Sequence, residues 1–380
     1  MSVLSGVLGT VLILIILGDA FETIVLPRRV TRRMSLARLF YRFTWLFWRN
    51  TVRSIFPKKR QETFLSWYGP LSLLLLLILW ATGLVIGFGL VHWSSGSTIK
   101  TPGGPAGLST YLYLSGTTFF TLGLGDIVPN NAVGRGIIAF EAGMGFGFLA
   151  LVIGYLPALN QSFARREVNI SLLDGRAGSP PTAGEMLLRH SHDRGLEELQ
   201  QLFHDWERWS ADLLESHLSY PVLAYFRSQH DNQSWLGALA AVLDASAFAM
   251  ASLGGSCKRQ AQLTFAMTRH TVVDLAQVLD CPPRQSKHNR LTSDKLTSLR
   301  TSLASAGLSF REGNEVDQTL VELRQMYEPY LDSLSGYLNI PIPPWVSKSH
   351  PVDSWQRSAW EEEKASRKGR LIGNGDDGHF

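Results

Sequence analysis

The stretch Tyr111-Leu-Tyr-Leu-Ser-Gly-Thr-Thr-Phe-Phe-Thr-Leu-Gly-Leu-Gly-Asp-Ile-Val-Pro129 decides how this chain is read. It starts as a short apolar helix, with Ser109 or Thr110 available to cap it, and passes into an extended Gly-x-Gly segment. About a dozen helical residues rise roughly 18 Å, too little to cross ~30 Å of hydrocarbon. Such a helix can still enter a membrane and leave by the same face. Irregular backbone at that depth is tolerated only where it is buried in protein or lines a watery path.

Long apolar runs flank it. Phe64–Val91 precedes it, Gly134–Leu159 follows it, and Val3–Leu26 stands near the N-terminus. Each exceeds the ~20 residues that a spanning helix needs. The first run lacks a basic leader and an A-x-A site and is followed by basic residues, so it is expected to be a span and not a cleaved signal. Charge then sets the orientation. Between Pro27 and Arg60 there are eleven Lys or Arg and no acidic residue, whereas the loop from Trp93 to Ser115 holds Lys100 alone. The positive-inside rule puts the basic loop in the cytoplasm, with the N-terminus and the Trp93–Val133 region outside.

Within that loop, Arg38, Arg42, Arg49 and Arg53 fall inside about 60° of helical arc, beside Leu39, Phe43 and Leu46. A helix lying on anionic lipid headgroups fits this pattern, and so does a helix packed on a soluble domain. The arginines do not recur at every third position of an apolar span, as a voltage-sensing ladder would require. Asp19 and Glu22, at the inner end of the first run, are expected to pair with Arg28 and Arg29.

The quoted stretch resembles the potassium-channel pore loop, Thr-x-Gly-Tyr/Phe/Leu-Gly-Asp, here Thr121-Leu122-Gly123-Leu124-Gly125-Asp126. The likeness runs without gaps from Ser115 and Thr118 past Pro129, Gly134 and Arg135, and with the flanking spans it covers about residues 64–160. It implies an all-α membrane protein: outer helix, re-entrant pore helix, filter and inner helix, with an extra N-terminal span and an α-helical cytoplasmic domain. It also implies a homotetramer, because each chain supplies one quarter of every carbonyl ring. The carbonyls of Thr121, Leu122, Gly123 and Leu124, followed by Gly125, would coordinate K+, which is the permeant ion; no cofactor and no enzymatic activity are expected. Gly123 and Gly125 permit the alternating backbone hand that aims successive carbonyls inward. In the family the residue at Asp126 bonds a pore-helix aromatic, here Tyr113, and Thr117 and Thr118 would support the filter from behind. Leu124 replaces the usual Tyr, and Leu114 an aromatic behind it, so a brace is missing and a weakly selective cation channel stays open as an alternative.

In the inner helix, Gly145 stands where the family has a gating hinge, although close helix packing explains it equally well. Pro157 removes a helical hydrogen bond near the inner mouth and is a second gating candidate. Glu141 is expected to bond the pore helix or a neighbouring subunit.

Over the 380 residues, charged side chains are 18% against about 25% in soluble proteins, and hydrophobic ones are 45%. The net charge, 36 − 32 = +4, is too small to argue for nucleic acid. Two cysteines, Cys257 and Cys281, make no disulfide framework. The organisation expected is a span at 1–26, a basic amphipathic segment at 27–63, the pore module at 64–160, a linker at 161–182, a helical cytoplasmic domain at 183–345 and a polar tail at 346–380. Leu236–Leu253 is apolar but rich in small residues and reads as a core helix. His190, His192, His204 and His217, near Glu198 and Glu207, match no metal-ligand spacing. A compact three-span design suggests a bacterial inner membrane. The remaining alternative, a membrane-anchored signalling protein with a vestigial pore, would need a catalytic constellation in 183–338, where none is found.

Overall fold

The computed structural model describes residues 2–26, 35–95, 99–100, 106–192, 194–229, 232–285 and 289–347. Helix α1 (Ser2–Ala20) ends in a π-turn at Phe21–Val25. Two helices follow, α2 (Leu36–Ile55) and α3 (Lys58–Ser66), and then the long apolar α4 (Tyr68–Ser94). The short α5 (Leu108–Phe119) leads into an extended segment, and α6 (Ala132–Ala177) runs for 46 residues. A two-residue antiparallel ladder, β1 (Ile99–Lys100) with β2 (Val128–Pro129), ties the segment before α5 to the one after it. The rest is helical: α7 (Ala183–Arg189), α8 (Gly195–Ser219), a 3-10 turn (Pro221–Tyr225), α9 (Trp235–Ser252), α10 (Gly255–Val278), α11 (Ser293–Ser305), α12 (Asn314–Gln325) and α13 (Glu328–Leu338). This is an all-α membrane-type architecture.

The chain forms two compact units. The first contains residues 1–163 together with Ser216–Arg227; the second contains Ala164–Glu215 and 228–380.

In the first unit α1 lies along α4, and small residues set the closeness. A β-carbon at Gly83 would lie 2.2 Å from Ile16 Cδ1, and one at Gly9 would lie 2.6 Å from the Gly87 carbonyl oxygen. Gly83-x-x-x-Gly87 is a small-residue helix contact that lets backbones approach. The Asp19 carboxylate is buried between α1, α2 and α4. It accepts hydrogen bonds from the Ser35 hydroxyl (3.0 Å), the Ala37 amide (3.1 Å) and the Trp80 indole (2.9 Å). Asp19 therefore caps the start of α2 and pins it to α4. Arg28 and Arg29, its expected partners, lie outside the described residues, as do the tail from residue 348 onward and the basic residues before Arg38.

Helix α2 buries Ala37, Tyr41, Trp45 and Val52. Tyr225 packs on that face, its ring centroid 5.9 Å from Tyr41, 5.3 Å from Trp45 and 5.3 Å from Tyr68 at the base of α4. Tyr220 meets Tyr155 of α6 at 5.4 Å, and Phe226 meets Phe163 at 5.6 Å. A segment from the middle of the later helical region is thus built into the first unit's aromatic core.

Ser171–Thr182 reads as a linker, but α6 continues through most of it. Gly175 alone does not stop a helix. The helix ends at Ala177, where the Gly178 amide still bonds the Asp174 carbonyl at 3.0 Å. Pro180 and Pro181, which have no N–H to donate, then turn the chain.

In the second unit α9 is the central element. It is long and apolar enough to cross a membrane by length and composition, yet every residue of it except Met250 is buried among α7, α10, α12 and α13. Asp244, in its middle, pairs with Arg290 and accepts the Tyr327 hydroxyl at 2.6 Å. A buried carboxylate so satisfied suits a protein core.

Candidate functional site

Helix α5 and the segment after it are arranged so that the helix end holds the extended backbone. The Thr118 carbonyl accepts the Thr121 amide at 2.9 Å, and the Thr117 carbonyl accepts Leu122 at 2.8 Å and Gly123 at 3.3 Å. Thr118 is buried, and the Thr117 hydroxyl donates back to the Leu114 carbonyl at 2.9 Å. The backbone then alternates in hand: φ is +57° at Thr121, +55° at Gly123 and +76° at Gly125. Every second residue is left-handed, so peptide groups that would point in opposite directions along an ordinary strand are turned toward a common side. Two of the three are glycines, which take this conformation at no Cβ cost. Thr121 was not legible as a third, since a β-branched residue rarely adopts positive φ.

Leu122 and Leu124 are both 63% exposed, and no heavy atom lies within 4 Å of where a β-carbon would stand at Gly123 or Gly125. Beyond them, the Tyr113 hydroxyl donates to Asp126 Oδ2 at 2.9 Å, which joins α5 to the far end of the extended segment. Pro129, in the β1–β2 ladder, fixes the exit, and the Arg135 guanidinium reaches the Pro129 carbonyl at 3.5 Å.

Behind α5, three fully buried side chains from three helices meet. Glu141 of α6 is bonded through Oε1 to the Ser115 hydroxyl of α5 and through Oε2 to His92 Nε2 of α4, at 3.2 Å. The Ser115 hydroxyl also lies 2.8 Å from the Val85 carbonyl of α4. The bond to Ser115 joins Glu141 to the helix before the alternating segment, one of the two partners expected for it. His92, 49 residues away in sequence, carried no signal.

Gly145 faces the end of α5. A β-carbon there would lie 1.9 Å from the Phe119 carbonyl oxygen, which gives this glycine a packing role. Gly143 and Gly147 have open space at the same position. Pro157 sits inside α6, and the helix continues past it.

On α2, Arg38 and Arg49 are partly covered while Arg42 and Arg53 are exposed. The four lie along the border between the buried Tyr41–Trp45 face and a second apolar stripe, Leu39, Phe43 and Phe47, which is exposed. Among the described residues no group of three or more His, Cys, Asp or Glu could hold a metal ion. His192 pairs with Glu198 at 3.3 Å, and the His190 ring contacts the Met186 carbonyl at 2.7 Å.

Residues 74–161 match the family model described as ion channel. This segment is a pore-loop ion channel domain. A curated relative, described as the uncharacterized membrane protein YdjJ of Bacillus subtilis (strain 168), is 27% identical over 186 residues, covering 47% of this chain and 52% of the relative. The chain thus spans about half the length of that relative. No solved structure matches the chain. The ion channel domain begins within α4 and ends within α6, so it contains the whole of α5, the alternating segment and the Ser115–Glu141–His92 cluster.

Proposed function

We propose that the protein conducts K+ passively across a bacterial inner membrane as a homotetramer. Thr121, Leu122, Gly123, Leu124 and Gly125 form its selectivity filter. The observation that carries this reading is the alternation of hand at Thr121, Gly123 and Gly125. Backbone so arranged presents carbonyl oxygens in register, and four copies about an axis replace the water shell of a dehydrated cation. One chain supplies only a quarter of each ring. The exposure of Leu122 and Leu124 and the sparse cover on α6 suit a segment that finds its partners in other subunits.

The helix dipole of α5 places its negative end, near Phe120, toward the cavity below the filter and favours a cation there. Asp126 and Tyr113 hold the outer end of the filter; Thr117 and Thr118 hold its inner end. Pro157 is the place where α6 could change shape on gating, and Gly145 holds α6 against the end of α5. The N-terminus lies outside and the second unit in the cytoplasm; the eleven basic residues between Pro27 and Arg60 support this orientation. Helix α2 lies in the cytoplasmic interface with Leu39, Phe43 and Phe47 in the acyl boundary and Arg38, Arg42, Arg49 and Arg53 at anionic headgroups.

A second reading, a weakly selective monovalent cation channel, is favoured by one feature. Leu124 and Leu114 carry no hydroxyl or indole to brace the filter, so its rings are held from fewer points. A reversal potential measured between K+ on one side of a bilayer and Na+ on the other separates the two readings. A strongly K+-directed potential supports the first, and a value near zero supports the second.

A further inference from the structure

One arrangement of hydrogens at Glu141 puts a hydrogen in every short contact of the cluster. The Ser115 hydroxyl has a single hydrogen and faces two oxygens, the Val85 carbonyl at 2.8 Å and Glu141 Oε1. A backbone carbonyl can only accept. If the serine hydrogen goes to Val85, the contact with Glu141 needs a hydrogen supplied by the carboxyl group. On the other side, His92 Nδ1 is buried with no hydrogen-bond partner. A doubly protonated imidazole would leave a donor stranded there, whereas a bare ring nitrogen leaves only an acceptor, the cheaper of the two. The neutral imidazole with its hydrogen on Nε2 then donates to Glu141 Oε2. Every hydrogen in the cluster has an acceptor, and no net charge is buried among three helices.

We propose that Glu141, in its neutral carboxylic form, is a positioning residue for the selectivity filter. It ties α6 to the pore helix α5 through Ser115 and to the outer helix α4 through His92. The filter hangs from the end of α5 by the Thr117 and Thr118 carbonyls, so a shift of α5 moves the rings. The brace that an aromatic at position 124 would supply from inside the filter is here supplied from behind the pore helix. This rests on the reading of residues 121–125 as the filter.

The test uses the full-length channel and three variants. Glu141→Gln keeps the shape and the pattern, its amide NH2 donating to Ser115 and its carbonyl accepting from His92. Glu141→Leu removes both bonds, and Ser115→Ala removes one oxygen and cuts the links from α5 to Glu141 and to the Val85 carbonyl. Glu141→Gln is expected to keep the wild-type K+/Na+ permeability ratio. Glu141→Leu and Ser115→Ala are expected to lower it at least about tenfold, the factor that goes with losing one buried hydrogen bond. Infrared difference spectroscopy between wild type and Glu141→Gln at neutral pH should show a carboxylic C=O stretch lost in the variant. If Glu141→Leu fails to assemble, Ser115→Ala gives the same reading with little loss of volume. The proposal is overturned if Ser115→Ala leaves the ratio unchanged, if Glu141→Gln lowers it as far as Glu141→Leu does, or if the carboxylic band is missing. A wild-type protein that conducts nothing but shows the band would sink the channel reading and leave the neutral tie standing.

Discussion

A β-carbon at Gly145 would lie 1.9 Å from the carbonyl oxygen of Phe119. The inner helix is therefore in backbone contact with the last turn of the pore helix, at the height where the extended segment begins. Gly145→Ala must push the two helices apart, and overpacking of this kind costs about 1–3 kcal/mol or more. The tetramer should melt at lower temperature in detergent, and its K+/Na+ ratio should fall. A stable tetramer with unchanged selectivity and altered open probability would identify Gly145 as a hinge instead.

Gly123 and Gly125 make the opposite case. Neither has a neighbour within its own chain where a side chain would go, so within the chain alanine acts through φ. A left-handed conformation costs a non-glycine residue roughly 1–2 kcal/mol. The strain is relieved when the peptide turns and its carbonyl leaves the ring. Gly123→Ala and Gly125→Ala are expected to assemble normally and to lose K+ conduction. Assembled mutants with wild-type currents would remove residues 121–125 from the pathway.

Tyr225 packs against Tyr41, Trp45 and Tyr68, and Tyr220 against Tyr155 of α6. Truncating a buried aromatic of this size costs about 3–5 kcal/mol. Tyr225→Ala should lower the thermal stability of the purified channel by a corresponding amount. Tyr220→Ala, which touches the inner helix below Gly154, should change open probability in single-channel records. Both variants behaving as wild type would mean that this aromatic core neither supports nor biases the pore.

Burial pushes the Cys257 thiol up to about 11, and Cys281 is buried as well. The thiolate is the reactive form. At pH 7 to 8 Cys257 should resist maleimide or disulfide reagents in the folded protein and react promptly in denaturant. Its reaction with the native protein should become appreciable only as pH approaches 11. Fast labelling of native Cys257 at pH 7 would contradict the buried placement of that face of α10.

The pore module was legible in the sequence because its chemistry is local. The residues that alternate in hand lie between Tyr113 and its partner Asp126, and two of the three left-handed residues are glycines, whereas Ser109 and Thr110 do not cap α5, which starts at Leu108 after Gly107 with no side-chain cap. The three long apolar runs could be read from length and hydropathy. What escaped was held by distant partners. His92 reaches Glu141 across 49 residues, and its position carries no periodic signal. The turn at Pro221 looks like a divider between helices, and only the fold shows Tyr220, Tyr225 and Phe226 filling an aromatic core. Helix α9 was ambiguous for a physical reason: a helix buried on all sides and a helix that spans a membrane are both apolar all round. The small residues and Asp244 pointed to the core, where Arg290 and Tyr327 satisfy the carboxylate.

Assembled protein is expected to pass K+ through residues 121–125. Purified full-length protein in liposomes loaded with K+ should release it down its gradient far faster than empty liposomes do, faster than Na+ under the matching gradient. The Gly123→Ala protein, reconstituted at equal tetramer content, should release it at the empty-liposome rate. Wild-type tetramers that release K+ no faster than empty liposomes, or an alanine variant that releases it as fast as wild type, would contradict the account.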